Sequence, residues 1–101
     1  MNQNYQYMVQ SLNPPKVELT DAGLYVRFVS GVVVARTVIQ NEWPQVAVDL
    51  DDSGGVIGIE FVPAPKVFSV GVIPGLVENA RVGGLPSYKP EDVQIENLCA
   101  A

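Results

Sequence analysis

The stretch Val46-Ala-Val-Asp-Leu-Asp-Asp-Ser-Gly-Gly-Val-Ile-Gly-Ile-Glu-Phe61 decides how this chain folds. Val46, Val48 and Leu50 alternate in its first half, and Ile57, Ile59 and Phe61 alternate in its second, the period of two expected of strands with one buried face. Between the halves lies Asp51-Asp-Ser-Gly-Gly55. Asp and Ser side chains bond their own backbone, and Gly supplies positive φ without a Cβ clash, so this cluster reverses the chain at low cost. The stretch reads as a β-hairpin, and a connection longer than two residues predicts a bulged or type I-based turn.

A competing reading exists for the same residues. Asp49, Asp51, Ser53, Gly54 and Glu60 occupy positions 1, 3, 5, 6 and 12 of a calcium-loop pattern, and Val56 supplies the apolar residue at position 8. Such a loop needs a helix on each side. The entering segment instead contains Pro44, which in a helix interior would cost about 3 kcal/mol, followed by the β-branched alternation of Val46 and Val48. On two strands the carboxylates splay apart, so a divalent-metal or acidic-ligand site built from Asp49, Asp51, Asp52, Ser53 and Glu60 is the alternative reading, and a solvated acidic tip the leading one.

Outward from the hairpin, Leu24, Val26 and Phe28 share one face of a strand over residues 24–29, with Tyr25 and Arg27 on the other. That half-polar second face fits an antiparallel sheet with one side wet. Lys16-Val-Glu-Leu-Thr20 alternates and reads as a first strand at the sheet's edge, joined to the next by a turn at Asp21-Ala-Gly23. Ser30-Gly31 breaks the chain, and residues 32–39 read as a strand pairing back on 24–29. Asn41-Glu-Trp-Pro44 leads into the hairpin.

Beyond it, Val62-Pro-Ala-Pro-Lys66 is too proline-rich for a sheet interior, and residues 67–73 read as one more short strand or an apolar connection. Ile73, Leu76, Val77 and Ala80 recur at helical spacing, with Pro74 in the first turn and Gly83-Gly84 as a stop, predicting a short helix over 74–82. In the tail, Val93, Ile95 and Leu98 are the apolar anchors of a docked segment or of an arm reaching another subunit. Tyr5 and Tyr7, ahead of Pro14-Pro15, are placed to pack back on the sheet or on a partner.

The expected fold is therefore mainly β, a β-rich α+β domain: a small antiparallel sheet of about five strands in meander order, with one short C-terminal helix or turn packing on it. Residues 1–15 form an N-terminal extension, 16–66 the β domain, and 67–101 a C-terminal extension in the same domain or reaching across an oligomer.

With 101 residues, the chain has room for one modest core. Its net charge of −5, with six Lys and Arg in all, argues against nucleic acid and against anionic membrane surfaces, whose binding draws on clustered cations. The N-terminal residues lack a basic and apolar leader pattern, and no apolar run approaches membrane-spanning length. The single Cys99, third from the last residue given, reads as an incidental thiol, and a lone cysteine fits the cytoplasm best. Histidine is absent, which removes the imidazole base of serine and cysteine triads and the imidazole metal ligand. No catalytic residue and no cofactor is assigned. Glu60 beside Tyr25 or Arg27 is the one polar set worth testing for chemistry.

Asp21-Ala-Gly-Leu-Tyr-Val-Arg-Phe28, Val34-Ala-Arg-Thr37, Val48-Asp-Leu-Asp51 and Gly55-Val-Ile-Gly-Ile-Glu-Phe61, in this order, resemble the small bacterial domain of unknown function DUF2283. The resemblance covers roughly residues 17–64. It departs at Gly23, where Ala is usual, at an insertion around residues 41–44, and in the last 35 or so residues. It implies a small antiparallel β domain from a bacterium or phage, in which acidic-Gly turns recur as hairpin tips. By analogy with members thought to be encoded beside small toxin-like proteins, it also implies an antitoxin-like partner role. It carries no activity.

The function expected from these residues is a non-enzymatic protein-interaction or structural module, self-associating as a homo-oligomer with a dimer favoured, or binding a small protein partner. Tyr25, Arg27 and Trp43 form its candidate interaction face.

Overall fold

The structure, a computed structural model, describes residues 5–98, so Cys99 lies outside the described residues. Among the described residues there are eight strands: β1 (Tyr7–Met8), β2 (Lys16–Leu19), β3 (Leu24–Arg27), β4 (Arg36–Asn41), β5 (Gln45–Leu50), β6 (Val56–Val62), β7 (Val82–Gly83) and β8 (Gln94–Asn97). Among the described residues the one α-helix, α1 (Ile73–Asn79), follows a 3-10 turn at Val70–Val72, and a second 3-10 turn lies at Pro90–Asp92. Six strands form one sheet in the order β4-β5-β6-β3-β2-β8, and β1 pairs with β7 in a separate two-stranded ladder.

The β5–β6 hairpin sits where its sequence predicts. Val48 faces Ile59 and Val46 faces Phe61, and the register shifts once between Asp49 and Leu50, a bulge beside the tip. The tip closes through Asp51 N–H to Gly55 O and Gly54 N–H to Asp51 O, with Gly54 at φ 85°, a conformation that suits glycine. β3 lies antiparallel to β6, so Leu24 and Val26 face Phe61 and Ile59 and extend one apolar layer across the sheet. Val17, Leu24, Val26, Val48, Leu50 and Ile59 are completely buried there. Each such side chain contributes about 1.5–3 kcal/mol relative to remaining exposed.

Ile73, Val77 and Ala80 of the helical segment join the same cluster, so α1 covers the sheet's apolar face. The helix stops at Ala80, where Arg81 takes a left-handed φ of 61° and donates its N–H to the Glu78 carbonyl. The chain then runs straight into β7, whose Val82 is buried against the same core.

The fold is the expected β-rich one, yet its strand order is not a meander. β3 has its two flanks taken by β2 and β6, so residues 28–35 carry the chain over to the far edge, where β4 pairs with β5 alone. β4, β5, β6 and β3 thus form a Greek key. Alternation specifies which face a strand buries but not which strand sits beside it, and the apolar match of β3 to β6 decides the neighbour. Residues 32–35 are consequently an exposed loop rather than the start of a strand. β2 is not an edge strand either, because β8 lies parallel to it, Val17 beside Ile95. The tail is a docked segment, and Tyr7–Met8 docks through its ladder with Val82–Gly83. Residues 67–72 are a connection, not a strand.

Candidate interaction face

The side of the sheet away from α1 is built by two cross-strand rows. Registers align Lys16, Arg27, Gly58, Asp49 and Thr37 in one row, and Glu18, Tyr25, Glu60, Ala47 and Ile39 in the next. Lys16 and Arg27 would repel as direct neighbours. The repulsion is relieved diagonally: Arg27 donates Nε–H and Nη2–H to the two carboxylate oxygens of Glu18, at 2.9 and 3.1 Å, while Lys16 Nζ lies 3.3 Å from Glu96 and 3.9 Å from Glu18. The guanidinium of Arg27 also stacks over the Tyr25 ring, 4.8 Å from its centroid.

Tyr25 then crosses a whole strand. Its hydroxyl donates to Asp49 Oδ2 on β5 at 2.8 Å, passing over Gly58 of the intervening β6. Only glycine permits this, because a Cβ at position 58 would fall on the phenol ring. Thr37 of β4 donates to the other oxygen of Asp49. The result is a continuous chain of polar contacts, Glu96–Lys16–Glu18–Arg27–Tyr25–Asp49–Thr37, running from β8 to β4. A side branch joins the Gln45 amide to Glu60 at 3.3 Å.

The electrostatics follow from these contacts. The hydrogen bond from Arg27 holds the Glu18 carboxyl below its ordinary range despite partial desolvation, and the same bond raises Arg27. Burial, reinforced by Asp49, pushes the Tyr25 phenol far above its ordinary value, so it is a donor and not a base.

Of the residues expected to form an interaction face, Tyr25 and Arg27 are together, but both are engaged within the chain. Trp43 lies apart from them, 72% exposed in the β4–β5 turn at the opposite end of β5 from Asp49. The residues of the alternative acidic site do not converge on one point. Asp49 accepts from Tyr25 and Thr37, and Glu60 accepts from Gln45. Asp51 Oδ1 accepts from the N–H groups of Ser53 and Gly55 and from the Ser53 hydroxyl, each at 2.9 Å, bonds that lower its pKa. Asp52 is exposed at the tip, beside a depression of about 280 Å³ that it shares with Val32 and Val33. Among the described residues no three Asp, Glu, Cys or His side chains gather as a metal centre would require.

Sequence reasoning missed Gly58 and Glu18 as members of the network, and Ile39, 51% exposed on the free edge at β4. A glycine inside a strand signals close approach of another group, and that signal was available for Gly58. Comparison with protein-family models, with curated proteins and with solved structures finds no match, which neither supports nor contradicts the resemblance to DUF2283. No helix among the described residues is long and apolar enough to cross a membrane.

Proposed function

We propose that this chain is a non-enzymatic interaction module that associates with itself, using a sheet edge rather than the centre of its polar face. The observation that carries this reading is the contrast between an internally satisfied face and an unsatisfied margin. Tyr25, Arg27, Glu18 and Asp49 spend their hydrogen-bonding capacity on one another, which leaves little to recognise a ligand or to move a proton. At β4 the sheet ends with backbone groups that meet no further strand among the described residues, flanked by exposed Val33, Val34, Ile39 and Trp43. Open edges with apolar side chains are templates for another chain.

Light scattering on the purified chain, with its native lysate screened for co-purifying proteins, tests the reading. The expected mass is that of a dimer. A strict monomer at every concentration, with nothing co-purifying, would sink it.

A further inference from the structure

We infer that residues 85–98 form a releasable strap, which lifts off β2 and α1 while the rest of the fold stays in place, and so uncovers a sheet edge that the chain otherwise keeps closed. This does not rest on the self-association proposed above.

The anchorage of the chain changes at Gly84. Up to that point it is fixed: Val82 is buried in the core, and Val9 N–H donates to the Gly83 carbonyl at 2.8 Å. Gly84 then turns at φ 81°, and the strap crosses to β2. On the way it leaves a hollow of about 320 Å³, lined by Val70 and Pro74 from the helical segment and by Leu85, Pro86 and Tyr88 from the strap. Atoms facing a gap instead of a neighbour forfeit dispersion contacts. The Tyr88 hydroxyl is buried with no hydrogen-bond partner among the described residues. Lifting the strap returns that hydroxyl to water, so closure carries a desolvation cost that opening relieves.

β8 does little to offset this. Its four residues are all exposed, Ile95 at 49% although it lies beside the wholly buried Val17. The strand therefore rests on a short parallel ladder, on the Leu98 N–H bond to the Leu19 carbonyl at 2.6 Å, and on a surface ion pair of Lys16 with Glu96. Each of these is a near exchange with water. Val93 is the strap's one buried residue, whereas Val56, Ile57, Gly58 and Ile59 of β6 are buried in succession. A segment with so little burial and an unpaired hydroxyl opens at lower free energy than the sheet it covers. Opening bares the outer flank of Lys16–Leu19.

Amide hydrogen exchange read by NMR, on the wild-type chain and two variants, tests this. Leu98 N–H, bonded to Leu19, reports the strap, and Phe28 N–H, bonded to the Ile57 carbonyl at 2.8 Å, reports the core. Leu98 is expected to be protected about a hundredfold less than Phe28, with a shallower dependence on urea. Ile59→Val is expected to lower Phe28 protection about three- to tenfold and to leave Leu98 unchanged, because Ile59 stays buried when the strap is open. Tyr88→Phe keeps the ring and removes the stranded hydroxyl, so Leu98 protection is expected to rise about threefold or more. Equal protection at the two amides, or an Ile59→Val loss at Leu98 matching that at Phe28, shows that the strap opens only with the whole fold and overturns the inference. Leu98 protection that Tyr88→Phe leaves unchanged or lowers also overturns it, the first result showing that β8 frays by itself and the second that the hydroxyl stabilises the closed form.

Discussion

On the face covered by α1, Leu24, Val26, Val48 and Ile59 are wholly buried, while one residue along the same strands Tyr25, Arg27, Asp49 and Glu60 are part exposed, with Tyr25 bonded to Asp49, Arg27 to Glu18 and Glu60 to Gln45. The two faces share a backbone but not a source of stability. Burial has no direction and scales with the area taken from water, so the apolar face suffers whenever volume is lost. The polar face works through individually aimed bonds, each a near exchange with water and each small in net effect. What joins the two regimes is Gly58, a backbone position whose missing side chain makes room for the Tyr25 bridge.

The largest effect is expected on the covered face. Ile59→Ala should lower the free energy of unfolding by about 2–5 kcal/mol, through lost transfer energy and the cavity left behind, as read by urea denaturation. Gly58→Val should follow at about 1–3 kcal/mol, because the new side chain and the Tyr25 ring claim one space; loss of the Tyr25 ring contacts in NMR spectra would accompany it. If Gly58→Val were neutral, the bridge would be incidental and the two faces would be independent.

Tyr25→Phe keeps the ring and removes only the hydroxyl bonded to Asp49. It should cost about 0.5–1.5 kcal/mol, and a loss equal to that of Ile59→Ala would erase the distinction drawn between the faces. Smallest is Glu18→Gln, at about 0.2–1 kcal/mol at neutral pH, because Arg27 keeps part of its water.

That last substitution also has a pH signature. Arg27 holds the folded-state pKa of Glu18 below its ordinary 4.5, so the stabilisation is complete above that ordinary value and drains as pH falls through the lower, folded one. Glu18→Gln should therefore flatten the acid limb of the stability profile below pH 4.5 and leave its alkaline side alone; urea midpoints across acid pH read this directly.

The hairpin over residues 46–61, the faces of β3 and the placing of α1 were legible because each rests on local periodicity or turn chemistry. Leu24, Val26 and Phe28 reveal a buried side by their spacing alone. The neighbour of β3 was hidden, since that choice is made between segments far apart in the chain. Val32, Val33 and Val34 have strand composition but meet no partner strand, and pairing overrides propensity. β1 and β7 are two residues each, too short to carry a pattern. Within the polar face, Tyr25 and Arg27 were visible as residues of one side. Their partners were not: Asp49 looked like a metal ligand, and its bond to Tyr25 depends on a register two strands away.

Both parallel ladders of this molecule tie early residues to late ones: Tyr7–Met8 to Val82–Gly83, and Lys16–Leu19 to Gln94–Asn97. A ribosome making the chain releases β2 long before β8 exists, so one flank of β2 waits bare until then. Pairings of such long range also form slowly. The polypeptide must therefore carry an unfinished sheet until β8, which emerges after the other seven strands described, arrives to seal it.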